Sequence, residues 1–399
     1  MSFANTGLSD VLSHSLGRLG YTQPTPIQSK SIPVVLSGAD LLARAQTGTG
    51  KTAAFGLPMI ERLLVRSRRR PAARTMRGLV LVPTRELALQ VERALATYGA
   101  PVNANVVGIV GGVAMRPQVE ALRKGVDIVV ATPGRLIDHM QQGTVNLSGV
   151  ESLTLDEADR LLDMGFLPSL RRVLKALPAA RQTLLFSATL SADVARLAAE
   201  FTREPVRVDV SGAEAVTPNV THRVHAVGEG GKGEALARVL LQPPAGRALV
   251  FCKTKRRSDR VGVQLVRAGI TAAVIHGNKS QGARNRALGD FKAGRVSVLV
   301  ATDIAARGLD IAHLPLVVNY DLPAVAEDYV HRVGRTGRAG RAGRAVSLVS
   351  TEDRGLLPAI QRLLPGPLEE VVLQGSQGST GGARRQSGTG PQLVRAPRR

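Results

Sequence analysis

The chain has 399 residues, 44% of them hydrophobic, and carries 53 Lys and Arg against 31 Asp and Glu, a formal net charge of +22. This apolar content excludes a wholly disordered polymer, the length allows two or three ordinary domains, and the lone cysteine, Cys252, excludes a disulfide framework or a cysteine-rich zinc site. The positive excess points to a polyanion, with nucleic acid ahead of an acidic membrane surface: no run of about 18 apolar residues exists, and the opening MSFANTGLSD lacks a signal-peptide pattern, so a cytoplasmic protein is expected.

Short apolar runs bounded by turn residues alternate with amphipathic stretches long enough for crossover helices, the pattern of a parallel α/β fold. Strands are expected at 41–44, 79–82, 106–110, 128–131, 153–155, 183–186 and 206–210, and again at 223–227, 248–251, 272–275, 297–300, 317–319 and 345–349. The division this implies is an N-terminal domain over 1–210, a linker over 211–219 marked by Gly212 and Pro218, a C-terminal domain over 220–373, and a tail over 374–399. The Gly, Ser, Gln and Arg composition of the tail predicts a short disordered basic segment. Both halves are basic, with 25 basic and 17 acidic residues up to residue 210 and 28 against 14 beyond it. An arginine cluster at 66–77, including Arg66, Arg70 and Arg77, reads as a solvated loop or an RNA contact. Cys252, inside the run ALVFC, is expected in the core.

Chemistry concentrates first at residues 45–52. Ala45, Gln46, Thr47, Gly48, Thr49, Gly50, Lys51 and Thr52 follow an expected strand, open an expected helix and fit P-loop spacing, with Ala45 in the first glycine position. Gly48 and Gly50 let backbone N–H groups curl round phosphate oxygens at a helix N-terminus. Lys51 is placed for the β- and γ-phosphates and the Thr52 hydroxyl for Mg²⁺. Asp156, directly after the run Leu153 to Leu155, can hold Mg²⁺ through water, and Glu157 can deprotonate the attacking water. Taken alone, Asp156-Glu-Ala-Asp159 could equally be an acidic helix start favoured by the dipole.

With these segments and about a dozen more motifs in family order, the chain resembles a DEAD-box RNA helicase of superfamily two over roughly residues 2–372. The run 276–294 and the TPGRLIDHMQQG segment resemble the bacterial RhlE-type branch. The resemblance implies two RecA-like domains, each a mostly parallel sheet flanked by helices, sharing ATP and Mg²⁺ across a cleft. It implies that Gln28, in GYTQPTPIQ, reads the adenine edge, that Phe3 stacks on the base and that Asp310 contacts the ribose. Ser187 and Thr189 would bond Asp159 and couple hydrolysis to closure; Arg335 and Arg338 would act as arginine fingers, with His331 linking the two halves. RNA contacts carried over in the same way are Pro83, Thr84, Arg85, Gly111, Gly112, Thr132 and Arg135 in the first domain, and Gln281, Arg284 and Thr302 in the second.

The implied activity is RNA-stimulated ATP hydrolysis that drives local, non-processive unwinding of short duplexes or remodelling of ribonucleoproteins. RNA would be held by its backbone with little sequence preference, since aromatic residues are only 3% of the chain and stacking platforms are scarce. An ATP-gated RNA clamp or assembly scaffold is the competing reading, and a DNA-translocating relative the third. Ribosome-assembly or RNA-decay complexes are the partners considered, with the protein itself a monomer.

Overall fold

The computed structural model describes residues 3–46, 48–65, 76–210, 220–242, 246–306, 309, 311, 314–337 and 342–371. The expected linker at 211–219, the arginines at 66–74 and the tail at 374–399 lie outside the described residues.

In the first half, β1 (Leu41–Arg44), β2 (Gly78–Leu81), β3 (Val106–Ile109), β4 (Ile128–Ala131), β5 (Ser152–Leu155), β6 (Gln182–Ser187) and β7 (Val206–Asp209) form one sheet. Its order is β3-β4-β2-β5-β6-β1-β7, with every pair parallel. The second half contributes β8 (Val220–Ala226), β9 (Ala248–Phe251), β10 (Ala272–Ile275), β11 (Val298–Ala301), β12 (Leu316–Asn319), β13 (Gly343–Val349) and β14 (Glu369–Glu370). Their order, β10-β11-β9-β12-β13-β8-β14, repeats the first sheet strand for strand, again all parallel.

Burial explains the unbroken apolar runs. All residues of β2, β4 and β5 are buried, because helices cover both faces. Along β2, Val80 packs into one core layer while Leu79 and Leu81 enter the other, and Val250 and Leu249 of β9 divide in the same way. The expected strands therefore recur within a few residues of their predicted limits. The missed strand is β14, two exposed glutamates with no apolar signature. Cys252 is fully buried in the core of the second half, where burial pushes its thiol up to about 12.

Arg77 corrects the reading of the arginine cluster. It is buried, not solvated: its guanidinium makes a two-point pair with Glu151 at 2.8 and 3.0 Å and bonds the carbonyl of Leu63. The residue immediately precedes β2, so its side chain is drawn under the sheet.

Candidate active site and nucleic-acid interface

Every expected first-half site segment except the N-terminal Phe3 and Gln28 lies at the carboxyl end of a strand, where parallel α/β sheets open their crevices. After β1 the chain turns through Gly48 and Gly50, at φ of 89° and 91°, and enters the helix Lys51–Ile60. A Cβ on Gly50 would stand 2.3 Å from Gln28 Nε2, so this turn needs glycine for space as well as for conformation. Lys51 is buried, and its Nζ has no hydrogen-bond partner among the described residues. A buried ammonium without a partner is costly, which marks a position kept for an anion.

Asp156 follows β5 and is buried; burial foremost, relieved by Lys51 and reinforced by Glu157, pushes its carboxyl up to about 6. Glu157 adopts left-handed backbone angles, φ 52° and ψ 53°, and its Oε2 is buried with no partner among the described residues. A non-glycine residue held there costs roughly 1–2 kcal/mol, strain of the kind found at reacting centres. Asp159 is fully engaged: its Oδ2 accepts from Ala188 N and Thr189 N at 3.1 Å and Thr189 Oγ1 at 3.2 Å, while its own N–H donates to Ser187 Oγ at 3.3 Å. Asp159, Ser187 and Thr189 thus form one knot.

Gln28 opens the helix Pro26–Ser37 in a capping box with Thr25, whose N–H donates to Gln28 Oε1 at 2.9 Å. Its Nε2 donates to Gly50 O at 3.2 Å, and Thr25 Oγ1 donates to Thr49 O at 2.8 Å, so this segment is tied directly to the phosphate loop. Phe3 opens the N-terminal 3-10 turn Phe3–Thr6. Its ring is 4% exposed and packs edge-on against Tyr21, within a turn closed by Thr6 Oγ1 donating to Phe3 O. Thr52 is half-buried on the loop's helix and Gln46 lies between β1 and the loop. Thr47, Asp310 and Arg338 lie outside the described residues.

The second half faces this site with the helix Ala326–Val333 and the turn after it. His331 is driven well below its ordinary value by burial and by the nearby Arg160, which keeps the imidazole neutral, and Lys51 and Arg335 act on it in the same direction. Arg335 donates to Leu309 O at 2.9 Å. Arg160, Asp303, Asp328, His331, Arg332 and Arg335 line one cleft between the halves. Arg332, which the motif reading passed over, is locked by Asp303 at 2.6 and 2.7 Å and by Asn319 at 2.9 Å, with its guanidinium 5.0 Å over the ring of Phe251.

The expected RNA contacts gather apart from this cleft. Thr84 caps the helix Arg85–Gly99, accepting from Leu87 N at 3.3 Å, and Pro83 lies buried beside it. The Arg85 guanidinium lies so close over Gly112, at φ 69°, that a Cβ there would sit 1.8 Å from Nη1. Arg135, on the helix that begins after Thr132, donates to Val113 O at 3.0 Å, just past Gly111 and Gly112. Opposite, Arg284 meets Glu86 at 2.9 Å, and Gln281 bonds Glu86 at 3.1 Å and Arg85 at 3.5 Å. Within the Pro83–Leu87 motif the sequence points to Pro83, Thr84 and Arg85 as RNA contacts but gives Glu86 no role of its own. Thr302 stands immediately after β11.

Two parallel sheets of one strand order, the first followed by a glycine-wrapped turn into Lys51 and the second contributing Arg332 and Arg335 to the shared cleft, define a protein of two RecA-like domains. Residues 25–197 match the DEAD/DEAH box helicase family, and residues 231–340 match the helicase conserved C-terminal domain. The DEAD-box ATP-dependent RNA helicase CshA of Geobacillus kaustophilus is 43% identical over 371 residues, covering 93% of this chain and 78% of its own. The ATP-dependent RNA helicase DeaD of Escherichia coli is 42% identical over 377 residues, 94% of this chain but 59% of the relative's length. The chain belongs to the DEAD-box ATP-dependent RNA helicase family. Among solved structures, S. cerevisiae Dbp5 bound to RNA and ADP BeF3 superposes with a TM-score of 0.81 at 29% identity, covering 93% of this chain and 95% of that one. A point variant of Dbp5 bound to Nup159, Gle1, IP6 and ADP reaches only 0.64 at 29% identity, with 92% and 96% covered, whereas the same variant with RNA and ADP BeF3 reaches 0.81.

Proposed function

We propose that the protein is an RNA-stimulated ATPase whose two halves close on ATP and single-stranded RNA together, separating short duplexes locally or remodelling ribonucleoproteins. The observation that carries this reading is the buried Lys51 ammonium, unpartnered among the described residues, beside Asp156 and Glu157 and facing His331 and Arg335 from the other half. Lys51 would neutralise the phosphates, and Glu157, its Oε2 already desolvated, would take the proton of the attacking water. Neutral His331 can accept or donate a hydrogen bond without adding charge. Arg335, and by resemblance Arg338, would stabilise charge developing on the transferred phosphoryl group. Gln28 would carry base recognition to the loop through Gly50, with Phe3 and Asp310 completing the nucleotide contacts. Thr52 and Asp156 suit a hard divalent cation, Mg²⁺, held mainly through water and phosphate oxygens. Bound there, it would neutralise phosphate charge and keep Asp156 ionised.

On the opposite side, Arg85, Arg135, the Gly111-Gly112 turn, Gln281, Arg284 and Thr302 supply guanidiniums, amides and hydroxyls suited to a sugar-phosphate backbone. Glu86 bridging to Arg284 also favours a second reading, an ATP-gated clamp in which unwinding is incidental. We assign the chain to the RhlE-type branch on the segments at 132–143 and 276–294, and regard it as a cytoplasmic monomer. The test is ATP turnover with single-stranded RNA, with DNA of the same sequence and with neither, alongside strand displacement on a short RNA duplex. Stimulation by RNA alone with displacement is expected; stimulation without displacement would select the clamp, and no stimulation would overturn the reading.

A further inference from the structure

One side chain at the cleft has no part in the scheme above. Arg160 directly follows Asp159, its side chain is 9% exposed, and its Nη1 is buried with no hydrogen-bond partner among the described residues. The second half provides its counter-ion, Asp328 Oδ1, at 3.7 Å. This is an ion pair, not a hydrogen bond, and it crosses between chain segments 168 residues apart. We propose that Arg160 and Asp328 form an interdomain positioning pair that couples closure of the cleft to placement of the finger-bearing helix.

Asp328 lies three residues before His331 on the helix Ala326–Val333, so the two share a face, and Arg335 leaves the end of the same helix. Attraction toward Arg160 therefore brings His331 and Arg335 over the phosphate loop as one rigid piece. Arg160 is fixed at its other end by the Asp159 knot, its N–H donating to Asp159 Oδ1 at 3.0 Å. The pair thus joins the group that senses the first-half site to the group that completes it. Around Arg160 stand Asp159, Asp163 and His331; around Asp328 stand Asp303, Arg332, Asp159 and Arg160. Asp163, three residues along the same helix, also acts electrostatically on Arg160 from within its own half. Burial weighs most on Asp328 and raises its carboxyl above the ordinary range, as expected for an acid that closure removes from water.

The inference rests on the ATPase reading above, and the test separates the two. Full-length Arg160→Gln, Asp328→Asn and the double variant are compared with the parent for RNA affinity in the presence of ADP BeF3, ATP affinity without RNA, and RNA-stimulated turnover. Each single change should weaken RNA affinity of the nucleotide-bound form and raise the RNA concentration for half-maximal turnover by about 3- to 10-fold, a coupling typical of neighbouring charges. The double variant should be no worse than either single one, and ATP affinity without RNA should stay unchanged. The charge-swapped protein, Arg160→Asp with Asp328→Arg, should recover part of the missing affinity. Additive losses in the double variant, or an equal loss of ATP affinity without RNA, would overturn the pair. Absence of RNA-stimulated turnover in the parent would overturn the function instead.

Discussion

The turn after β1 and the turn after β8 occupy the same place in two sheets of one strand order, yet only the first leaves its buried lysine without a partner among the described residues. Each leads into a helix whose first residue is lysine, Lys51 or Lys232, preceded by glycine. Each lysine faces an aspartate that follows a strand, Asp156 after β5 and Asp321 after β12, and these strands too hold matching places. The differences are local. Gly50 takes φ 91° and wraps the turn, whereas Gly231 takes φ −90° and runs from a 3-10 turn straight into its helix. Lys51 is left without a partner among the described residues, while Lys232 donates to Asp353 at 2.6 Å and lies 3.8 Å from Asp321, which Arg257 also holds at 2.6 Å. Where Asp156 is followed by Glu157, Asp321 is followed by the buried Leu322. Both halves thus bury a lysine beside a carboxylate. What makes a site of the first is charge that the fold declines to satisfy, and what makes a scaffold of the second is charge fully paired.

The comparison breaks most visibly at Glu157. Glu157→Gln should leave ATP binding intact and lower RNA-stimulated turnover about 10²- to 10⁴-fold, the usual worth of a general base, with a long-lived closed RNA complex in pull-down or fluorescence measurements. Normal turnover would sink the assignment of the base. Next in size is Lys232→Met, which strips a buried cation from Asp321 and Asp353. Unfolding in urea should show a loss of about 3–5 kcal/mol, mainly in the second half, with no effect on ATP affinity of the folded protein. An acid limb checks the same pair. Burial alone would raise the Asp353 carboxyl, but hydrogen bonds from Lys232 and Ser350 outweigh it and hold it below the ordinary range. Its contribution is therefore present above the ordinary carboxylate range and lost as pH falls through the lowered folded value. In Lys232→Met that loss should shrink.

Lys51→Met inverts the pattern. It should weaken ATP binding about 10- to 100-fold, the scale of a hydrogen bond to a charged group, yet leave the melting temperature unchanged or slightly raised. A marked drop in stability would mean that Lys51 has a structural partner after all, and the contrast between the two lysines would fail.

Much of this was legible in the amino-acid order, and what was not has a physical reason. Buried parallel strands such as Leu79–Leu81 and Val298–Ala301 announce themselves because both faces must be apolar, and the phosphate loop because its glycines and lysine are adjacent in sequence. Glu369 and Glu370 pair with β8 through backbone and through one ion pair, Glu369 with Arg223 at 3.3 Å, neither of which leaves an apolar trace in the sequence. Glu86 with Arg284, Arg160 with Asp328, and Arg332 with Asp303 are partners set by how the halves and strands meet, and no local period encodes them. Arg77 shows the reverse error: a dense run of arginines reads as one solvated unit, although its last member turns inward to Glu151. Lys232 was equally hidden, since its role depends on carboxylates 89 and 121 residues away.

The smallest expected effect concerns charge that neither lysine loop uses. Residues 375–399 carry five arginines and no acid, so they can add attraction to RNA without touching the ATP cleft. Every phosphate no longer neutralised should lessen the slope of log affinity against log salt by about 0.7 for a single strand. Deleting the segment should therefore weaken RNA binding several-fold at low salt, bring the two proteins together as salt rises, and leave maximal turnover at saturating RNA nearly unchanged. If turnover at saturation fell steeply instead, these arginines would have to act on closure itself. The division between unpaired charge that does chemistry and diffuse charge that only gathers RNA would then have to be redrawn.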